Sequence, residues 1–436
     1  MNPRNVSLEN VSRRDFLKTS STAILGGAIA GPLVFTAGAN EVETKTLKVG
    51  LIGCGGRGTG AAGQALSADK NVELTAVGDA FPDRIETAIE SLRSEHGEKV
   101  QVPAENRFVG LDAYEKVIAS GVDIVILTTP PGFRPIHIKA AVDAGKHIFC
   151  EKPMAVDAPG LHRVIAAAEE AKRKNLSLVA GFCWRRNNAE RETFKRIHDG
   201  AIGDVRAFYG DYLTGSLWHK PRQPGWTDFE YQVRNWMYFT WLSGDSLVEQ
   251  AIHSVDKMSW VMRDVPPKRA IAVGGRQVRT EAEYGHVFDH FAVQYEYENG
   301  VRGYIFSRQQ AGCFNENTDH IMGSKGYCDV NGFNKIHKIV SGGDTWNYTG
   351  PRNDMYQTEH DEFFASIRSG NPINDGPWMT QSTMMGIMGR MAAYTGQAVT
   401  WEQALESKED LSPPSYDWKQ PLPEPPVAMP GRTKFI

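Results

Sequence analysis

Thr46-Leu47-Lys48-Val49-Gly50-Leu51-Ile52-Gly53-Cys54-Gly55-Gly56-Arg57-Gly58 is the stretch that decides the architecture. Residues 46–52 form a short, largely apolar run of the kind a buried strand needs, and it opens without a spacer into glycines in GxGxxG spacing. Each glycine answers a separate demand: Gly53 a tight turn, Gly55 the approach of a pyrophosphate to the backbone, Gly58 close packing of helix on sheet. Arg57 sits within the same turn and is counted with the cofactor site. A helix of small residues over 59–67 and a strand over 72–77 follow, ending at Asp79, 21 residues after Gly58. This is a βαβ unit that places phosphate charge on a helix N-terminus. Asp79 is expected to accept hydrogen bonds from the adenosine ribose and to repel a 2′-phosphate, which favours NAD, although Arg84 leaves room for NADP. Asp79 also reads as a helix-capping carboxylate ahead of Pro82.

Working outward, helices are expected over 84–96, 113–120, 135–144 and 159–174, and strands over 122–127, 147–149 and 177–180. Strands alternating with helices imply a doubly wound parallel sheet of the Rossmann type over residues 46–182. Thr128, Thr129 and Pro130 then fall at the carboxyl end of a strand, where ligands of open α/β sheets bind. A Pro-Pro pair there also simply stops a strand.

Beyond about residue 200 the texture changes. Residues 288–298 and 301–309 alternate apolar and polar side chains around Asn299-Gly300, a hairpin signal, so a second α/β domain over 183–411 is expected to hold a mostly antiparallel sheet. Helices are expected over 356–369 and 380–395. Residues 412–436 form a tail whose segment 412–430 contains seven prolines, too many for a helix or a central strand.

The chain has 436 residues, a formal charge of −4 and five cysteines without CxxC spacing. That length supports two full cores without disulfide staples, and the charge supplies no basic surface for nucleic acid. Neither a zinc site nor a disulfide framework is indicated. Near the start, Ser12-Arg13-Arg14-Asp15-Phe16-Leu17-Lys18 precedes an apolar stretch from Ala23 to Phe35 and the small residues Ala37-Gly38-Ala39. This reads as a twin-arginine signal over 1–39, recognised by the Tat export machinery and implying a periplasmic or otherwise exported protein. The stretch is too short to span a bilayer as a helix, so no stable membrane insertion is expected.

The combination of Gly53-Cys54-Gly55-Gly56-Arg57-Gly58, Thr128-Thr129-Pro130-Pro131, Cys150-Glu151-Lys152-Pro153, Gly200-Ala201-Ile202-Gly203 and Glu249-Gln250-Ala251-Ile252-His253-Ser254-Val255-Asp256 resembles the Gfo/Idh/MocA oxidoreductases. Glucose–fructose oxidoreductase and inositol dehydrogenase belong to that family. The resemblance covers about residues 46–395. It implies an open, mostly antiparallel second sheet used for homo-oligomer contacts, and sugar or polyol substrates.

By that resemblance Lys152 is the lysine beside nicotinamide and substrate, His253 the catalytic base, and Glu151 a support of the cofactor loop. The dehydrogenases commonly carry Asp four residues before the histidine. This chain has Glu249 there, which is a candidate catalytic or substrate-binding carboxylate and equally fits a capping box with Ser246. Glu249, His253, Asp256 and Trp260 recur on one helical stripe, which is expected to face a cleft. Arg185 and Asn187, just after a strand, and Tyr238, in an aromatic-rich segment, are further substrate-binding candidates. No metal site is expected. Three functions compete: an exported NAD(P)-dependent oxidoreductase with a tightly held cofactor; a redox-neutral glycosidase, lyase or epimerase working through a transient keto-sugar; and a non-catalytic dinucleotide- or sugar-binding protein.

Overall fold

The computed structural model describes residues 45–436; the signal expected over 1–39 lies outside them. Strand β1 (Leu47–Ile52) lies at the centre of a six-stranded sheet with β2 (Val72–Asp79), β3 (Arg107–Val109), β4 (Ile124–Leu127), β5 (His147–Cys150) and β6 (Leu178–Ala180). Their order is β3-β2-β1-β4-β5-β6 and every pairing is parallel. Helices α1 (Gly56–Ala68), α2 (Pro82–His96), α3 (Ala113–Ala119), α4 (Arg134–Asp143) and α5 (Ala158–Arg173) connect the strands. Helices on both faces explain why β4 is apolar and buried at all four positions instead of alternating. Strand β3, only three residues long, has too little pattern to be legible in the sequence.

The second sheet has nine strands. After α6 (Asn188–His198) comes β7 (Val205–Thr214); four short helices follow, α7 (Asp228–Arg234), α8 (Thr240–Ser243), α9 (Ser246–Glu249) and α10 (Ile252–Val261). Then come β8 (Arg269–Gly275), β9 (His290–Glu296), β10 (Arg302–Gln309), β11 (Asp319–Gly323), β12 (Gly326–Asn331), β13 (Ile336–Ser341) and β14 (Asp344–Asn347). The order is β14-β13-β12-β11-β7-β10-β9-β8-β15, with β15 at Val399–Thr400. All pairings are antiparallel except β7 with β10. The Asn299-Gly300 hairpin forms between β9 and β10, with Gly300 at φ +85°, a conformation glycine adopts without penalty.

Two features depart from the linear reading. Helix α11 (Met355–Arg368) belongs to the second half of the chain yet packs on α1, and residues 373–375 bond to edge strand β6, Leu178 N donating to Ile373 O at 2.8 Å and Asp375 N to Leu178 O at 3.0 Å. The expected single helix around His253 is also two, α9 and α10, separated by a turn at Gln250–Ala251. Helix α12 (Gly376–Thr395) packs against α10 and α5, joining the two halves through one apolar core. The proline-rich tail has neither helix nor strand over 412–430, and its Tyr416 and Trp418 rings pack 5.6 Å from Phe133 and 5.5 Å from Phe81.

Candidate functional site

A cleft of about 590 Å³ opens at the carboxyl ends of β1, β2 and β4, with Gly53, Gly55, Gly58, Asp79, Thr128 and Pro130 among its walls. Gly53 has φ +98°, and a Cβ on Gly58 would stand 1.9 Å from the Gly53 carbonyl oxygen, so both positions demand glycine. The Thr128 hydroxyl locks the turn by donating to Gly53 O at 2.6 Å. Thr129 and Arg57 also line the cleft; the Thr129 hydroxyl lies 3.1 Å from His137 Nδ1. Helix α1 starts without a side-chain cap, and the space in front of Gly55 is open for 4 Å. Its first N–H groups therefore fit a pyrophosphate. Asp79 faces the cleft and does not cap α2, whose N-cap is Phe81 without a side-chain cap: Cys54 N donates to Asp79 Oδ2 at 2.6 Å, which ties the end of β2 to the glycine turn, and Phe81 N donates to Oδ1 at 2.9 Å.

From the cleft a line of charged contacts leads to the other candidate residues. The Arg57 guanidinium pairs with Glu151 and, at 3.1 Å, with Glu359 of α11. Glu151 is thereby tied to the glycine turn through Arg57. The next residue, Lys152, donates from Nζ to Glu249 O at 2.5 Å and to Glu249 Oε1 at 2.6 Å. Glu249 Oε2 accepts from Gln250 Nε2 at 2.6 Å, and Tyr212 OH donates to Gln250 Oε1 at 3.2 Å. The Tyr212 ring stacks on that of His253 with centroids 6.5 Å apart. Lys152, Glu249 and His253 do not line the cleft itself; they stand beyond Arg57 and Glu151.

The His253 ring is only partly exposed, and its Nδ1 is enclosed with no hydrogen-bond partner among the described residues. The accessible part of the ring is therefore the side carrying Nε2. Burial, and then the positive charges of Lys152 and Lys257, hold its pKa well below the ordinary histidine value. The sign matters for catalysis. A lowered pKa keeps the imidazole neutral, and so able to take a proton, at and below pH 6.5. For an oxidation that uses this base, kcat/KM should stay level as pH falls through 6.5 and decline only under more acidic conditions. A steady-state pH profile reads this directly, and an acid limb at or above pH 6.5 would contradict it.

Several expectations need correction. Arg185 is not at a substrate surface. Its Nε donates to both Asp256 oxygens at 3.0 and 3.1 Å, Nη1 and Nη2 bond Asp264 at 3.1 and 2.6 Å, and the guanidinium lies 4.2 Å from the Trp378 ring centroid. A buried guanidinium requires such pairing. Asn187 caps α6, its Oδ1 accepting from Ala189 N and Glu190 N at 2.9 and 3.2 Å. Tyr238 is buried, and its hydroxyl donates to the carbonyls of Leu217 and Trp218 at 3.3 and 3.0 Å, so it supports a loop. Asp256 is also buried with Arg185 and Ser382, which splits the expected polar stripe. The capping box does not form: Asp245, at φ +79°, caps α9 by accepting from Ser246 N at 2.5 Å. Glu249 is thereby left for Lys152.

Sequence reading missed Tyr212, Gln250, Glu359 and Arg134. The buried Arg134 holds the loop after Lys152 through a 2.6 Å bond from Nη1 to Pro153 O. Gln250 could have been found as a neighbour of Glu249; the others lie in no local motif. Among the described residues no group of His, Cys, Asp or Glu is arranged to hold a metal, and no helix is long and apolar enough to cross a membrane.

Comparison with known proteins agrees with this geometry. Residues 47–178 match the oxidoreductase family with an NAD-binding Rossmann fold, and residues 191–329 match the GFO/IDH/MocA C-terminal domain, together more than half of the chain. This chain belongs to the Gfo/Idh/MocA family of NAD-dependent oxidoreductases. An inositol 2-dehydrogenase of Rhizobium meliloti (strain 1021) is 26% identical over 344 residues, which cover 76% of this chain and 93% of that one. The myo-inositol 2-dehydrogenase of Thermotoga maritima is 23% identical, over 84% of this chain and 98% of that one. The crystal structure of an aldose–aldose oxidoreductase from Caulobacter crescentus has the same fold, with a TM-score of 0.65 at 22% identity over 82% of this chain and 100% of that one.

Proposed function

We propose that the enzyme oxidises a hydroxyl of a sugar or polyol, with His253 as the base and Lys152 as the cation beside the reacting oxygen. The observation that carries this reading is the contact of Lys152 with Glu249, from distant stretches of chain, beside a histidine held neutral. When bound, the nicotinamide accepts the hydride. Nε2 of His253 takes the hydroxyl proton. An ammonium has three donors, and Glu249 occupies two of those of Lys152, so the third is available to hold the substrate oxygen as negative charge develops on it. Glu249 fixes the direction of that donor. Enclosure of the ring makes the imidazolium costly, which favours passing the proton on.

The relatives named as inositol dehydrogenases support a cyclitol or sugar substrate. The Arg-Arg segment near the start supports export through the Tat route, and export in turn favours a cofactor held through turnover, reduced by one substrate and reoxidised by a second. Incubation of the purified holoenzyme with a panel of sugars and cyclitols, followed by product analysis, tests the reading. A ketosugar, inosose or lactone is expected. Cleaved or epimerised sugar with no net oxidation would replace it with redox-neutral chemistry.

A homo-oligomer formed through the outer face of the second sheet belongs to the same proposal. Val273 of β8 stands across from Ala292, which stands across from Phe306 of β10, while Met322 of β11 faces Tyr327 of β12. Val273 is 69% and Met322 50% exposed. An apolar patch spanning neighbouring strands marks an interaction surface. Val273→Glu should lower the mass measured by light scattering to that of the monomer, and a wild-type monomer would refute this interface.

A further inference from the structure

The mouth of the dinucleotide cleft beside Asp79 gathers three cations: Arg84 from the first turn of α2, Lys220 from the segment between β7 and α7, and Arg234 from the end of α7. Arg234 is committed within the protein. Its Nε donates to Glu230 Oε1 at 2.8 Å, and its guanidinium lies over the Phe81 and Trp226 rings at 3.7 and 4.8 Å. The other two are not. Neither the Arg84 guanidinium nor the Lys220 ammonium makes a hydrogen bond, ion pair or ring contact among the described residues, although both side chains are half-buried. Asp79 does not neutralise them by direct contact, since its two oxygens accept from Cys54 N and Phe81 N.

Lys220 is also held firmly in place. Its backbone N donates to Asn235 Oδ1 at 2.8 Å, and its carbonyl accepts from Asn235 Nδ2 at 3.0 Å. The Tyr238 hydroxyl bonds the two preceding carbonyls of Leu217 and Trp218. One buried amide and one buried phenol therefore pin the segment over the cleft. Partial burial and the nearby Arg84 and Arg234 charges push the Lys220 pKa down. Asp79 and Asp83 act on Arg84 and Lys220 only at a distance, and Asp83 also pairs with Arg234 at 3.9 Å. Three clustered cations with so little direct pairing are relieved by an anion, so the arrangement is complementary to one.

We propose that Arg84 and Lys220 form a paired phosphate-binding element for the dinucleotide, half of it supplied by the second domain. It rests on the cofactor assignment and is independent of the hydride chemistry. Two phosphates of a dinucleotide offer the chemistry it recognises, the pyrophosphate common to NAD and NADP and the 2′-phosphate of NADP alone.

The test compares Lys220→Met, Arg84→Met and the charge-preserving Lys220→Arg with the full-length wild type, each stripped of cofactor. Affinities for NAD and for NADP are measured by titration at two salt concentrations. Loss of one charge-assisted contact should weaken binding about tenfold or more and reduce its salt dependence, and Lys220→Arg should retain most of the affinity. Equal losses for both dinucleotides place the element on the pyrophosphate, and losses confined to NADP place it on the 2′-phosphate; either outcome supports the proposal. Unchanged affinities in both methionine variants overturn it, as does a loss in Lys220→Arg equal to that in Lys220→Met, which would mark a packing role. A wild type that binds neither dinucleotide would overturn the cofactor assignment and this element with it.

Discussion

His253→Asn should lower kcat by about 10²- to 10⁴-fold, the range expected for losing a positioned general base, while dinucleotide binding stays intact. The separation is built into the fold: His253 lies on α10, outside the walls of the cofactor cleft. Asn retains a polar side chain of similar reach but cannot take up a proton near neutral pH. Any activity that survives should lose the acid limb that His253 imposes. Copurified dinucleotide, counted after denaturation, provides the control. A variant with full turnover would remove His253 from the mechanism, and a variant that lost its cofactor would show that the residue serves the fold.

The second large effect is expected at Lys152. Replacing it by Met removes the ammonium and leaves the Glu249 carboxylate buried without its ion-pair partner. Breaking a buried pair in this way costs about 3–5 kcal/mol of stability. Turnover should fall by about 10²-fold or more, the loss typical of one donor aimed at developing negative charge. Because a destabilised enzyme also loses activity, the informative variant is Lys152→Met combined with Glu249→Gln. Neutralising both partners should restore much of the melting temperature without restoring turnover. Recovery of both together would mean that the lysine acts only through stability.

The reading of residues 46–58 carried far because its information is local. A strand, a turn that only glycine permits at Gly53 and Gly58, and an acid at the end of the next strand are consecutive demands on one short stretch. The hairpin at Asn299-Gly300 was legible for the same reason. Lys152, Glu249 and His253 were identified by resemblance; Lys152 and Glu249 form an ion pair, and His253 is linked to Glu249 through Tyr212 and Gln250. The failures are equally physical. Arg185 looks like a free cation in sequence, and what pairs it is Asp256 and Asp264, more than 70 residues away. Ser246 and Glu249 have capping-box spacing, but Asp245 reaches the helix start first and Lys152 takes the glutamate.

Taken alone, the sequence determined the dinucleotide turn, the parallel sheet around it and the change to antiparallel pairing beyond residue 200. These follow from hydrophobic period and from the backbone freedom of single residues, which act over a few positions. Tertiary structure alone decided which charges are spent on each other and which remain for a ligand: Arg57 pairs with Glu359, Arg185 with Asp256 and Lys152 with Glu249, whereas Arg84 and Lys220 make no direct side-chain contact with a carboxylate among the described residues. A buried charge must find a partner wherever the packed chain brings one, and sequence separation places no limit on where that is.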